Sequence, residues 1–190
     1  ANYADKHAGS SKQVSVNLGT TDLHASNGAA TVYGYSLSSP SASGAIGQID
    51  PASITITAAS DSRQYDGTTN SSGIAMVTSG AVIPGDNLTI TQAFASKNVM
   101  GVNGSTLVPS YTLTDGNPVA GGNYAVTLQP ATGTITPAPL TITAVSDSRK
   151  YNGTTVSSGT PMVTSGTVYT GDTLTTSQAF ASKNVMGTNG

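Results

Sequence analysis

The sequence predicts an all-β fold, and three observations support this prediction. Short runs alternate apolar residues with threonine, a pattern typical of half-buried strands. Turn-forming residues separate these runs. Strong helix formers are scarce, because the 190 residues include no Glu, 5 Lys and 2 Arg. Together these observations favour short antiparallel strands packed as a sandwich or a related fold.

The alternating runs and the turns can be placed along the chain. In each run one face is apolar and the other consists largely of threonine, as for a strand with one face on the core. The runs are residues 54–58, 88–91, 124–128 and 140–143. The turn signals are Asp66-Gly67, Pro84-Gly85-Asp86, Asp115-Gly116-Asn117-Pro118 and Gly121-Gly122-Asn123. No window shows sustained helical periodicity.

The composition excludes several classes of protein. Ser and Thr make up 54 of the 190 residues, and only 8% of residues are charged. Disorder usually combines low hydrophobicity with high net charge, whereas this chain is 36% hydrophobic with a net charge of −2. That charge offers no positive field for nucleic acid, and no run approaches the roughly 18 apolar residues of a membrane span. The absence of cysteine excludes disulfides and thiolate metal sites.

An internal repeat sets the domain organisation. Residues 54–104 and 140–190 align without a gap at an offset of 86, and 37 of the 51 aligned positions are identical. The longest identical run, residues 92–101, returns as residues 178–187. A period of 86 exceeds the roughly 20–50 residues of solenoid repeats and suits one small domain per period.

A weaker third copy occupies the N-terminal part. Residues 47–54 match residues 133–140 at the same offset, and residues 3–7 resemble residues 94–98. We therefore expect a partial repeat at 1–50 (its C-terminal half), a complete repeat at 51–137 and a partial repeat at 138–190 (its N-terminal half). An alternative phase places the boundary near Gly104, giving 1–104 and 105–190.

Prolines mark the joints between repeats. Asp50-Pro51 and Pro137-Ala138-Pro139 stand at corresponding positions, where proline restricts itself and the preceding residue to extended conformations. Short, stiff junctions predict tandem small domains arranged in a semi-rigid rod.

The ordered motifs resemble a known family. The motifs are Tyr-[Asp/Asn]-Gly-Thr-Thr at 65–69 and 151–155, Gly-Asp at 85–86 and 171–172, Phe-Ala-Ser-Lys-Asn-Val at 94–99 and 180–185, Gly-Gly-Asn-Tyr at 121–124, and Ile-Thr-Pro-Ala-Pro-Leu-Thr-Ile at 135–142. Their order is similar to that of the YDG/MBG-type repeats of large bacterial surface adhesins, the filamentous-haemagglutinin-like exoproteins. The resemblance implies small β-sandwich domains (Ig-like or β-grasp-like), an extracellular or cell-surface location, and a stalk-like or adhesive role. Asn152 and His7 depart from the pattern.

The recurring residues are interpreted as structural. Each tyrosine of the motif is expected to pack its ring on the core and donate its hydroxyl to the backbone, and each Asx-Gly pair to form a turn in which Gly has positive φ. Each arginine shares a strand face with the aspartate two residues before it, with which it could form an ion pair. The aspartate of the Gly-Asp motif in the same copy is the alternative partner for that ion pair. The exchange of Asp66 for Asn152 argues against a metal ligand or catalytic acid there. The structural set is Arg63, Tyr65, Gly67, Asp86, Lys97 and Asn98, with Arg149, Tyr151, Gly153, Asp172, Lys183 and Asn184. Phe94, Phe180, Met100 and Met186 are expected in the core.

Metal, covalent and catalytic alternatives have weaker support. The calcium candidates are Asp61, Asp86, Asp147 and Asp172, but there is no Asp-x-Asp-x-Asp loop and calcium needs several oxygen ligands, so no cofactor is predicted. An isopeptide bond between Lys and Asn would need facing strands, which adjacent residues do not provide. His7 and His24 have no repeat counterparts, and no catalytic motif is present. The chain is therefore not expected to be an enzyme.

The sequence thus predicts a structural stalk or adhesive module that extends a secreted or surface-anchored bacterial adhesin from the cell. Its expected partners are the neighbouring repeats of its own chain, without nucleic acid or membrane insertion. One alternative is a self-assembling extracellular fibre subunit, because sheet edges poor in lysine can pair. Another is a module that binds a host glycan or protein through exposed aromatic residues, for which Tyr33, Tyr35 and Tyr169 are the candidates.

Overall fold

The computed structural model describes residues 1–19, 22, 24, 26–27, 30–31 and 36–187. Over these residues the chain is all-β with almost no helix, which confirms the predicted class. The four alternating runs all lie in or overlap strands. Within the described ranges, no helix has the length and apolar character needed to cross a membrane.

The described residues form fourteen strands. They are β1 (Asn2–Tyr3), β2 (Gly9–Asn17), β3 (Ser26–Asn27), β4 (Ala30–Thr31), β5 (Ser41–Ile49), β6 (Ala52–Thr57), β7 (Ser62–Gln64), β8 (Met76–Ser79), β9 (Asn87–Phe94), β10 (Ser105–Thr114), β11 (Tyr124–Gln129), β12 (Ala131–Thr136), β13 (Thr141–Thr143) and β14 (Met162–Ser165). The sheet orders are β1-β2-β5, β7-β12-β10-β9, β11-β6-β8, β13-β14 and β3-β4.

The expectation of purely antiparallel sheets is wrong. β11 pairs with β6 in parallel, from Tyr124 opposite Ala52 to Gln129 opposite Thr57. β12 also pairs with β7 in parallel, and Thr136 lies opposite Gln64. Every one of these pairs joins residues 72 positions apart. The first and last strands of the complete repeat therefore run side by side in the same direction, and a sandwich built only of hairpins does not describe the sheets.

The second copy repeats the local structure of the first. Ile56 lies opposite Val77 in the β6–β8 pair, with a register shift between Thr55 and Ile56. In the β13–β14 pair Ile142 lies opposite Val163, with a shift at the same place. Each of these residues has its counterpart 86 positions away, so the sequence repeat is also a structural repeat.

The chain divides into two compact units, each with its own buried residues. The first contains Ala1–Ala58, Ile74–Thr91 and Pro109–Gln129, and the second contains Ala59–Gly73, Gln92–Val108 and Pro130–Gly190. In the first unit Ile54, Leu113 and Tyr124 form a buried cluster. In the second unit Phe94, Leu107 and Ile135 are buried. The expected core position is therefore confirmed for Phe94, whereas Met100 and Met186 are exposed, which corrects that part of the prediction.

A glycine in β12 explains how the second unit packs. A methyl group added at Gly133 would lie 2.8 Å from both Leu107 Cδ1 and Phe94 Cε1, so only glycine fits between these side chains. In the first unit, a methyl group added at Gly47 of β5 would likewise meet Val14 and Tyr3. The N-terminal copy thus reproduces the same three-residue arrangement, with Tyr3 in place of Phe94.

Candidate functional site

Each copy contains a loop held by a recurring aspartate. The Asp61 carboxylate accepts hydrogen bonds from the Ser71 hydroxyl at 2.6 Å and the Ser72 backbone N–H at 2.8 Å. Asp147 accepts equivalent bonds from Ser157 and Ser158 at 2.6 and 2.8 Å. Burial raises the pKa of Asp61, but the bonds from the serines outweigh it and the net shift is downward. The bond from Ser157 lowers the pKa of Asp147 to about 2.

The recurring arginine holds the turn that follows it. Arg63 Nη1 donates to Asp66 and Nη2 donates to the Thr68 carbonyl, while the guanidinium lies 5.1 Å from the centre of the Phe94 ring. The expected pairing of Arg63 with Asp61 or Asp86 is therefore wrong. The chain turns after β7, so Asp66 folds back against the guanidinium.

The second arginine makes the same contacts with an amide in place of the carboxylate. Arg149 Nη1 donates to the Asn152 side-chain oxygen at 2.8 Å, and the guanidinium lies 4.8 Å from the Phe180 ring centre. The expected pairing of Arg149 with Asp147 or Asp172 is also wrong. Gly67 and Gly153 have φ of 78° and 77°, the left-handed conformation that the turn requires. The exchange of Asp for Asn therefore preserves the hydrogen bond and removes only the charge.

A recurring glutamine joins the loop to the segment that follows β6 in the first copy and β13 in the second, and sequence reasoning missed it. Gln92 accepts the Ala59 N–H at 2.8 Å and donates to the Ala59 carbonyl at 3.0 Å and to the Ser71 hydroxyl at 2.9 Å. Gln178 makes the same three contacts with Val145 and Ser157, each at 2.9 Å. The available signal was that this glutamine begins the longest identical run of the repeat.

A tyrosine and an aspartate meet in the first unit. Tyr124 donates its hydroxyl to Asp86 at 2.5 Å and accepts the Ile83 N–H at 2.9 Å. Burial raises the pKa of the Tyr124 hydroxyl, and the Asp86 carboxylate raises it further. Tyr124 stands in the Gly-Gly-Asn-Tyr motif, so that motif supplies the partner of the Gly-Asp motif.

The neighbouring Asn123 contacts the N-terminal copy. Its side-chain oxygen accepts the Ala8 N–H at 2.8 Å, and its nitrogen lies 3.2 Å from His7 Nδ1. Asn123 is itself held by Asp115, whose carboxylate accepts the Asn123 backbone N–H at 2.9 Å. His7 therefore takes part in a contact between copies, whereas His24 is exposed.

The complete repeat and the following copy meet at a polar and aromatic cluster in the second unit. Tyr65 donates its hydroxyl to Asp172 Oδ2 at 2.6 Å, and Lys97 Nζ lies 3.0 Å from Asp172 Oδ1. The Tyr65 and Tyr169 rings meet edge to face with centres 5.6 Å apart. The bonds from Tyr65 and Lys97 lower the pKa of Asp172, and Asp172 raises the pKa of Lys97. We call these four residues the junction cluster.

The junction cluster changes the expected role of the motif tyrosines. The Tyr65 hydroxyl bonds a carboxylate of the next copy instead of the backbone, and Tyr151, its counterpart, is exposed. The Lys97 amine is engaged by Asp172, while Lys183 is exposed. Asn98 and Asn184 close small turns, in which their backbone N–H groups donate to Ser96 and Ser182 at 3.1 Å.

The four calcium candidates do not come together. Asp61, Asp86, Asp147 and Asp172 each accept hydrogen bonds from protein donors. Over the described ranges, no group of three or more His, Cys, Asp or Glu side chains is placed to hold a metal ion. The recurring polar residues thus bond one another within loops and across the contacts between copies.

Comparison with known proteins identifies the complete repeat. A search of curated proteins and a search of solved structures gave no match to the chain. A scan of protein families matched the YDG domain over residues 50–133. This range contains the parallel β6–β11 pair, the Arg63 turn and the Asp86–Tyr124 contact. Residues 50–133 of this chain are therefore a YDG domain.

Proposed function

We propose that this chain is a structural stalk module of a secreted or surface-anchored bacterial adhesin. In this proposal small β-sandwich-like repeats follow one another in a rod and hold the adhesive part of the protein away from the cell. The role is mechanical and not catalytic. The location outside the cell rests on the composition and on the resemblance of the motifs to adhesin repeats.

The parallel pairing of the first and last strands carries this proposal. Residue 52 lies opposite residue 124 and residue 64 lies opposite residue 136, with the same offset of 72 in both parallel pairs. Because the first and last segments of the repeat run in the same direction, the chain leaves the repeat in the direction in which it entered. Equivalent residues of successive repeats are 86 positions apart, and the parallel partner lies 72 positions along the chain. The remaining 14 residues at about 3.3 Å each give a displacement of about 46 Å per repeat.

The link between repeats supports the same proposal. β12 ends at Thr136 and β13 begins at Thr141, so only four residues separate the last strand of one repeat from the first strand of the next. Two of the four are Pro137 and Pro139, which fix extended backbone. A short, stiff link leaves little freedom for the next repeat to fold back on the one before it.

The junction cluster adds side-chain contacts to this link. Asp172 bonds Tyr65 and Lys97 of the preceding repeat, and Tyr169 contacts the Tyr65 ring. Tyr169 was a candidate for ligand binding, and this contact favours a role within the chain. The other two candidates, Tyr33 and Tyr35, lie outside the described residues.

Small-angle X-ray scattering tests the rod. The chain is compared with a version carrying a second copy of residues 52–137 inserted after Pro137, with data extrapolated to zero concentration. The proposal expects the maximum dimension to grow by about 46 Å. If the longer chain folded into a single compact body, the radius of gyration would rise only from about 16 to about 19 Å. That result would contradict the rod.

Antibody labelling tests the location. Antibodies raised against the chain should label intact cells of the bacterium that makes it. Labelling only after the cells are permeabilised would contradict a surface role.

A further inference from the structure

Tension along the chain reaches the complete repeat at its two ends, so the pairing of its end strands decides how the repeat responds. Its first strand, β6, pairs with β11, and its second strand, β7, pairs with its last strand, β12. Both pairs are parallel. All the strands of these two pairs lie between Pro51 and Pro137, the prolines at the joints of the repeat. The pairing is therefore internal to one repeat.

Parallel pairing places the two points of load at opposite ends of a pair. The chain enters β6 at Ala52, which lies opposite Tyr124, and it leaves β11 at Gln129, which lies opposite Thr57. A pull on the two ends of the repeat therefore draws β6 backwards and β11 forwards along their common direction. If the end strands were antiparallel, both points of load would lie at the same end and the strands would be peeled apart.

Backbone hydrogen bonds close both ends of the β6–β11 pair. The Ala52 N–H donates to the Asn123 carbonyl and the Ala58 N–H donates to the Gln129 carbonyl, each at 2.9 Å. Such bonds run from strand to strand, across the direction of the pull. When one strand slides along the other, all of them are therefore stretched together.

The β7–β12 pair has the same arrangement in the second unit. The Thr134 N–H donates to the Asp61 carbonyl at 3.0 Å, and the Tyr65 N–H donates to the Thr136 carbonyl at 2.8 Å. Along the chain β7 follows β6 and β12 follows β11. The same tension therefore draws β12 forwards while β7 is held back by β6.

Buried side chains add to the resistance of both pairs. Ile54 and Ile56 of β6, Tyr124 of β11 and Ile135 of β12 are all buried. The Tyr124 hydroxyl is also bonded to Asp86. A strand that slides past its partner must pull these side chains out of their positions in the core at the same moment as its hydrogen bonds break.

The short range of hydrogen bonds determines how much force this sliding requires. A hydrogen bond near 2.9 Å is largely lost once its two atoms are more than about 3.5 Å apart. In shear, all the bonds of a pair must therefore break within a displacement smaller than the roughly 3.3 Å rise of one residue. In peeling, the bonds break one after another while the strand ends separate over a much longer distance. Because work is force multiplied by distance, shear requires the larger force.

We propose that the complete repeat is a force-bearing module. The β6–β11 and β7–β12 pairs form a shear clamp, which resists tension applied along the chain. This goes beyond the proposed function, because a stalk can separate two parts of a protein without resisting tension. The shear clamp depends only on residues 52–136, so its tests do not depend on the rod or on the location of the protein.

Single-molecule force spectroscopy in two pulling directions tests the shear clamp. The whole chain is held through pairs of introduced cysteines, because it has no cysteine of its own. Pro51→Cys with Pro137→Cys loads each pair from opposite ends, whereas Ser60→Cys with Pro130→Cys loads each pair from one end. All four positions are exposed. The partial repeats lie outside both sets of anchors and carry no tension.

End-to-end loading should need a mean unfolding force at least about twice that of one-sided loading at the same pulling speed. Complete unfolding is recognised by the length of chain between the anchors. This length approaches about 310 Å for the 86 residues between positions 51 and 137, and about 250 Å for the 70 residues between positions 60 and 130. A smaller ratio of the two forces would overturn the shear clamp.

A matched pair of substitutions identifies the bonds that carry the load. Ala52→Pro removes the N–H that bonds the Asn123 carbonyl across the β6–β11 pair. Ala95→Pro removes the N–H that bonds the Thr106 carbonyl at 2.8 Å, between the end of β9 and β10. β9 and β10 are consecutive strands inside the repeat, so tension applied at its ends does not pass between them. Each variant thus loses one backbone bond, but only the first bond lies in the shear clamp.

Under end-to-end loading, Ala52→Pro should lower the mean unfolding force by at least about a fifth, and Ala95→Pro should lower it by less than about a tenth. Denaturant unfolding of both variants confirms that each is folded and compares their stabilities. A loss of force in Ala52→Pro no greater than that in Ala95→Pro would overturn the assignment of the load to the parallel pairs.

Discussion

Lys97 of the complete repeat and Asp172 of the following copy form an ion pair, with Nζ 3.0 Å from Oδ1. The other carboxylate oxygen of Asp172 accepts the Tyr65 hydroxyl. The counterpart of Asp172 in the complete repeat is Asp86, which accepts the hydroxyl of Tyr124. The same motif position thus receives a tyrosine hydroxyl in both copies, once within a repeat and once across a junction.

Asp172→Asn is expected to loosen the junction without unfolding either copy. The amide keeps the shape of the side chain but loses the charge that holds Lys97. Hydrogen exchange should become faster in residues 65–69 and 169–172, and the rest of the chain should be unaffected. Asp50→Asn serves as the control, since that exposed residue lies outside the cluster. Unchanged exchange around Tyr65 would show that the ion pair does not order the junction.

Two equivalent isoleucines should respond differently to the same substitution. Ile56→Ala empties a fully buried position and should lower the free energy of unfolding by about 2–5 kcal/mol. Ile142→Ala changes a side chain that is 46% exposed and should cost less than about 1 kcal/mol. Denaturant unfolding at low protein concentration measures both. Equal costs would contradict the difference in burial between the two positions.

Tyr124→Phe should destabilise the complete repeat by about 1–3 kcal/mol, because it leaves the Ile83 N–H without its acceptor and Asp86 without its donor. Tyr151→Phe alters an exposed tyrosine and is the matched control, with no measurable change expected. Thermal unfolding of both variants makes the comparison. An unchanged unfolding temperature in Tyr124→Phe would show that the hydroxyl does not stabilise the fold.

Acid should affect the turns of the two copies differently. The bond from Arg63 lowers the pKa of Asp66 from 3.8 to about 2. A lowered pKa means that ionised Asp66 stabilises the turn above about pH 4, and that this stabilisation is lost as the pH falls through about 2. Asn152 holds the same place in the second copy and does not titrate. Hydrogen exchange at residues 65–69 should therefore rise more on acidification than at residues 151–155.

The Asp66→Asn variant provides the control for this acid response. It should remove the difference between the two turns, because both copies would then carry an amide. A difference that persists in the variant would assign the acid response to another group.

The sequence was sufficient to predict the strands and the repeat, because both depend on local pattern. Threonine alternating with Ile54 and Ile56 defines the two faces of β6, whatever strand lies beside it. The direction of its partner does not follow from that pattern, so the parallel pairing with β11 was not predicted.

Side-chain partners were harder to predict than strands. A pairing of Arg63 with Asp61 requires a continuous strand, but β7 ends at Gln64 and the turn brings Asp66 to the guanidinium. Gln92 was overlooked because a glutamine in a polar run is unremarkable until its bonds to Ala59 and Ser71 are seen. The role of Tyr169 could not be found from the repeat, since it replaces Ile83 and has no counterpart in the first copy.

The distance between equivalent residues of successive copies tests the central claim most directly. The chain has no cysteine, so Asn70→Cys and Val156→Cys together provide two unique sites for spin labels at exposed positions 86 residues apart. Pulsed electron–electron double resonance, recorded on the doubly labelled chain diluted into unlabelled chain, should give one narrow distribution of distances centred at about 46 Å, the displacement per repeat. A centre at less than half that distance, or a broad distribution without a maximum, would contradict repeats that follow one another in a rod.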